Sequence, residues 1–169
     1  MIKAFIIAAV TADGFIAKDD KHSPFGWTSK EDKKRFVELT KKAGVVVMGS
    51  STYATLPSSL KERVNIVYSR SKTFTDAEVT QDVPAELLRK LEDRGFKEVA
   101  ICGGAAIYSM FMKANVVDKV YLTIEPIFFG KGIPLFTEEL AAQLTLIKAD
   151  QSDSGSLLLE YDVKGIRTV

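Results

Sequence analysis

Apolar residues in this chain fall mostly into short, nearly unbroken runs. After Lys3, residues 4–10 are Ala, Phe, Ile and Val without interruption, which predicts a strand over 2–10 buried on both faces. The runs at 45–48, 64–68, 98–102 and 117–124 read the same way. Between them the spacing turns helical. A helix is predicted from Thr28 or Ser29 to about Lys42, where either Thr28 with Glu31 or Ser29 with Asp32 fits a capping box and Gly44 follows the end. Further helices are predicted over 52–56, stopped before Pro57, over 84–92, closed by Gly95, and over 105–113. Near the C-terminus, 144–149 and 157–163 flank the polar stretch 150–155, as in a hairpin. Alternating strands and helices followed by two consecutive strands predict an α/β fold. It has a mainly parallel central sheet, helices on both faces and a C-terminal antiparallel hairpin, in one domain over 1–169. No repeat, low-complexity tract or long linker interrupts it.

The totals narrow the function classes. Among 169 residues, 23 basic and 22 acidic side chains leave a formal charge of +1, so nothing electrostatic points to nucleic acid or an anionic membrane. One cysteine excludes an internal disulfide and a multi-cysteine zinc site, and one histidine excludes His-rich metal ligation. The first apolar run is too short to span a bilayer and lacks the charged segment of a signal peptide. The expectation is a soluble, cytoplasmic monomer whose partner is a small molecule.

Candidate chemistry gathers at two corners where a strand meets a helix. Gly103-Gly104 lies between the run ending at Cys102 and the small-residue stretch Ala105-Ala106-Ile107-Tyr108, and Gly49-Ser50-Ser51-Thr52 follows Met48. Glycine lets a ligand approach bare backbone, and the amides of a following helix turn face an anion. Together the corners suggest a phosphate-bearing ligand across one end of a parallel sheet. No G-x-x-x-x-G-K-[ST] occurs, and no complete G-x-G-x-x-G follows the first strand.

Asp32 shares one helical face with Phe36, Leu39 and Ala43, soon after Trp27, the chain's only tryptophan. It is either a cap on the first turn or a pocket carboxylate gripping an N–C–N edge. Glu31 and Glu38 fall elsewhere and should be solvated. Arg63 reads as a surface residue or as a clamp on a substrate anion. Ser69-Arg70 is a solvated turn or a nucleotide-phosphate contact. Thr123 is a strand threonine, Cys102 a small buried hydrophobe, and His22 an exposed loop residue.

In order along the chain, these pieces resemble the dihydrofolate reductase family over nearly the whole length. The resemblance rests on Ile7-Ala8-Ala9, Asp13-Gly14-Phe15-Ile16-Ala17, Trp27 with Asp32 and Phe36, Val47-Met48-Gly49-Ser50-Ser51-Thr52, Arg63-Val64-Asn65-Ile66, Ser69-Arg70, Ile101-Cys102-Gly103-Gly104-Ala105-Ala106-Ile107-Tyr108 and Tyr121-Leu122-Thr123. It implies reduction of 7,8-dihydrofolate by NADPH, with hydride delivered to C6 and N5 protonation aided by Asp32. Thr123 would support the same end of the pterin, and Ile7, Ala8, Trp27, Phe36 and Leu56 would line the substrate pocket. Arg63 would hold the glutamate carboxylate. NADPH would lie on Ala9, Ile16, Ala17, Gly49 to Thr52, Ser69, Arg70 and Cys102 to Tyr108, with a cis peptide at Gly103-Gly104 and a lid over 18–26.

The chain departs from the family pattern in three places. Ser50 stands where a basic residue is common, the lid is long, and Phe25-Gly26 replaces a proline-containing approach to Trp27. The turn at 13–17 also resembles the riboflavin-pathway pyrimidine reductases. The H-x-E and P-C-x-x-C of their usual zinc deaminase partner do not occur here. A pyrimidine or pteridine reductase of the same fold is therefore the alternative enzyme, and a non-catalytic dinucleotide-binding module the alternative outside catalysis.

Overall fold

The computed structural model describes residues 1–166; residues 167–169, the end of the expected 1–169 unit, lie outside the described residues. Ten strands and four α-helices follow the chain in the order β1 (Lys3–Thr11), β2 (Phe15–Ala17), α1 (Lys30–Ala43), β3 (Val45–Gly49), α2 (Ser50–Ala54), β4 (Val64–Tyr68), β5 (Glu78–Thr80), α3 (Pro84–Asp93), β6 (Glu98–Ile101), α4 (Ala105–Lys113), β7 (Lys119–Glu125), β8 (Ile133–Pro134), β9 (Ala142–Gln151) and β10 (Leu157–Ile166). A 3-10 turn occupies Pro24–Gly26. The main sheet runs β5-β4-β3-β6-β1-β7-β10-β9, and β2 pairs with β8 apart from it. Strands β5 to β7 are parallel, whereas β10 runs antiparallel to β7 and β9 antiparallel to β10.

Alternation along the inner strands divides the core. Ala4, Ile6, Ala8, Val45 and Val47 face α3 and α4, meeting Leu87, Leu91, Phe111 and Met112. Phe5, Ile7, Val46 and Met48 face the other way, toward Ala43, Phe36 and Leu39 of α1. Helices thus cover both faces, which is why these strands carry unbroken apolar runs. Helix α1 ends at Gly44, whose φ of 75° suits glycine, and α3 opens on Pro84, where no amide is needed.

Several boundaries differ from expectation. The short helix after β3 begins at Ser50 rather than residue 52, because the chain turns directly at Gly49. Strands β2, β5 and β8 have only two or three residues, too few to show a period. Both hairpin strands are longer than 144–149 and 157–163. Among the described residues no helix is long and apolar enough to cross a membrane.

Phe111 is fully buried between α4 and the sheet. Phe111→Ala is expected to lower unfolding free energy by about 3–5 kcal/mol in a urea titration; a loss under about 1 kcal/mol would contradict this packing.

Candidate active site

The chain runs outward from β1 to β3, β4 and β5, then returns to insert β6 between β3 and β1. At that reversal, beyond the strand ends, lies a cleft of about 590 Å³. Its walls include Ile7, Ala8 and Ala9 from β1, Ile16 and Ala17 from β2, Asp32 and Phe36 from α1, and Leu56. Gly49 to Thr52 and Cys102 to Tyr108 complete the opposite end.

Close approach dictates the glycines at the two corners. Gly49 N donates to Gly103 O at 2.8 Å, locking one corner against the other. A Cβ on Gly49 would lie 3.2 Å from Ile107 Cγ1, and one on Gly104 would lie 3.2 Å from Thr52 Oγ1. Gly103 has a φ of +106° and joins Gly104 through a cis peptide. Helix α4 starts without a side-chain cap, so its first-turn amides open onto the cleft. This bare, amide-lined cradle suits the diphosphate of a dinucleotide. Behind it, Tyr108 donates its hydroxyl to Ile7 O at 2.7 Å, joining α4 to β1.

At the other end, Asp32 reaches the cleft from the first turn of α1. Ser29 caps that helix, its Oγ accepting from Asp32 N at 3.1 Å. The capping box is not reciprocal, because Ser29 N donates instead to Glu125 Oε1 at 2.8 Å. Burial pushes the Asp32 carboxyl above its ordinary 3.8. The neighbouring Thr123 hydroxyl opposes this by hydrogen bonding, the charge of Glu125 reinforces it, and Arg35 and Lys33 pull downward. Such a carboxyl is suited to hold an N–H edge and to carry a proton.

Five anticipated residues are not on the cleft wall. Thr123 is 1% exposed and sits behind Asp32 rather than on the surface. Trp27 packs at the lid root, edge-on to Phe129 at 5.1 Å and stacked on His22 at 6.5 Å. Arg63 donates from Nε to Lys61 O and from Nη1 to Thr40 Oγ1, both at 2.8 Å. Ser69 is buried and accepts from Lys72 N, while Arg70 is exposed two residues beyond Tyr68 on the wall. Cys102 does line the cleft, but apolar surroundings push its thiol up to about 12.

The segment 18–26 forms one side of the mouth. Lys18 N donates to His22 Nδ1 at 3.1 Å, so His22 is half-buried and engaged rather than simply exposed. Lys33 Nζ donates to Phe25 O at 2.8 Å, tying the segment to α1. Its root is fixed by Asp13, which accepts from Thr11 Oγ1, Phe129 N and Gly130 N; these bonds hold its carboxyl below the usual range. Lys33 and Val37, each one residue after an anticipated wall residue, form the rim. Each is turned about 100° from the face that holds Asp32 and Phe36, so the apolar stripe does not point to them. Ile133 of the two-residue strand β8 and Thr137 of the following loop also line the cleft, and neither carries a local signal. Glu31, expected in solvent, accepts from Ser154 Oγ of the hairpin tip at 3.0 Å.

A family model described as dihydrofolate reductase matches residues 3–132. The dihydrofolate reductase of Staphylococcus haemolyticus is 30% identical over 124 residues, covering 72% of this chain and 69% of that protein. Among solved structures, a putative riboflavin biosynthesis protein from Shewanella sp. PV-4 superposes with a TM-score of 0.81 at 22% identity, covering 96% of this chain and 99% of that one. A pyrimidine reductase-like protein from Corynebacterium diphtheriae gives a TM-score of 0.75 at 17% identity, covering 96% and 92%.

Desolvation of Asp32 carries a consequence for stability. Below 3.8 the carboxyl is protonated in both folded and unfolded chains. Above the raised folded value, the folded state must hold a poorly solvated charge, so stability falls as pH rises through that window. Asp32→Asn is therefore expected to have a higher thermal midpoint than wild type at about pH 8, with the difference vanishing by about pH 3. A lower midpoint at pH 8 would contradict the burial of this charge.

Proposed function

The chain belongs to the dihydrofolate reductase family of oxidoreductases, and from that premise we propose that it reduces, at the expense of NADPH, the exocyclic C=N bond that the ring-opened ribosylamine of an aminopyrimidine presents, with the pyrimidine held by Asp32. Bound in the cleft, NADPH supplies the hydride, which goes to carbon, while the nitrogen takes a proton. The uncapped start of α4 and the Gly49, Gly103 and Gly104 cradle receive the diphosphate. Arg70, exposed just past the wall residue Tyr68, would meet a 2′-phosphate, and the Ser69 hydroxyl, which accepts from Lys72 N, keeps its proton to donate there. Asp32 accepts from the ring's N–H edge and is the group that passes the proton, and Thr123 holds its carboxyl in place. The lid segment keeps water from the reacting atoms.

The observation that carries the choice of substrate is the position of Arg63. A folate tail needs a cation for its carboxylate; this guanidinium is bonded to Lys61 O and Thr40 Oγ1, off the wall, and Lys33 on the rim is tied to Phe25 O. The likeness in fold to a pyrimidine reductase-like protein supports the same reading. Dihydrofolate is the second reading, favoured by the apolar pair Phe36 and Leu56 beside Asp32, which suits a pterin and an aminobenzoyl ring.

NADPH oxidation by the purified protein, followed with a phosphoribosylaminopyrimidine and with dihydrofolate, separates the two. Faster turnover of the pyrimidine is expected, and Asp32→Asn should slow it ~10-fold or more, less so at low pH. Equal or faster turnover of dihydrofolate would overturn the substrate assignment. Full activity in Asp32→Asn would overturn the role of the carboxyl.

A further inference from the structure

Glu125 is the last residue of β7, opposite Thr11 of β1, and only 3% exposed. A carboxylate is rarely buried so deeply without a cation. Among the described residues no salt bridge reaches it. Its oxygens are satisfied by neutral donors: Oε1 accepts from Ser29 N at 2.8 Å, and Oε2 from Ser156 Oγ. Ser29 is the cap of α1, and its Oγ accepts in turn from Asp32 N. Ser156 stands at the base of the β9–β10 hairpin, braced by Ser152, whose Oγ accepts from Ser156 N at 3.0 Å. The first turn of α1 is thus fastened to the hairpin, more than 120 residues away in sequence, through one buried carboxylate.

We infer that Glu125 is a positioning residue for the active site, seating the start of α1 between the sheet and the hairpin so that the Asp32 carboxyl faces the heterocycle. This rests on the reading of Asp32 as the group that meets the substrate. The same placement gives Glu125 an electrostatic role. Its charge opposes ionisation of Asp32, adding to burial, while Arg35 and Lys33 of α1 act the other way; the buried phenol of Tyr108 on α4 also faces Asp32. A neutral side chain of the same shape would keep the seat and lose the field.

Glu125→Gln makes that separation. In the ligand-free protein with carbon-13-labelled aspartate, the Asp32 carboxyl, identified by its loss in Asp32→Asn, is expected to titrate at lower pH in Glu125→Gln than in wild type. The pH profile of kcat should move in the same direction, with KM for NADPH unchanged. An unchanged Asp32 titration in a folded Glu125→Gln overturns the electrostatic role. Because that measurement needs no substrate, it stands even if the protein turns over neither candidate substrate, which would sink only the functional reading. The seat itself is tested by Ser156→Ala, which removes one tie alone, whatever the outcome for Glu125→Gln. It is expected to shift the Ser29 and Asp32 amide resonances and to lower kcat by about threefold or more; unchanged resonances would overturn the positioning role.

Discussion

A carboxylate held partly out of water is costly unless its surroundings fix where it points and what it meets. Asp32 is such a group, and much of the surrounding architecture bears on it. The parallel pairing of β1 with β7 sets Thr123 beside Ala9 and Glu125 beside Thr11. One of these residues touches the Asp32 carboxyl and the other holds the helix that carries it. Arg35, one turn along α1, donates to Leu159 O of β10 and lies over the Tyr121 ring. The helix is therefore pinned to the antiparallel edge of the sheet at two levels. The hairpin thus contacts the helix that carries Asp32, although none of its described residues lines the cleft.

The opposite end of the cleft is built by removing side chains rather than by placing them. Gly49, Gly103 and Gly104 bring two strand-to-helix corners into contact, leaving bare backbone and the open start of α4. An amide-lined end and a desolvated acid at the other suit the two tasks proposed for the site: anchoring an anion and gripping a nitrogen-rich ring. The segment 18–26 forms one side of the mouth between them, tied to α1 by Lys33 and rooted through Asp13 to the loop after β7.

What the sequence revealed followed from local regularity. The long buried strands, the caps of α1 and the glycine corners each carry a signal within a few residues, and all were legible. The position of Asp32 on an apolar helical face pointed to its burial. The short strands β2, β5 and β8 had no period to read. Arg63, Trp27 and Thr123 were found as residues, but their placement depends on contacts with Thr40, Phe129 and Asp32, which spacing does not encode. Glu125 left no sequence signal either, since its partners Ser29 and Ser156 lie 96 and 31 residues away.

Everything proposed for the cleft turns on the Asp32 carboxyl gripping the edge of a nitrogen heterocycle. A crystal structure of the protein with NADP⁺ and a 2-aminopyrimidine ligand tests it most directly. Both carboxyl oxygens are expected within about 3 Å of two nitrogens on the ring edge. A ring bound with that edge directed elsewhere, or an Asp32 carboxyl turned to solvent in the complex, would contradict it.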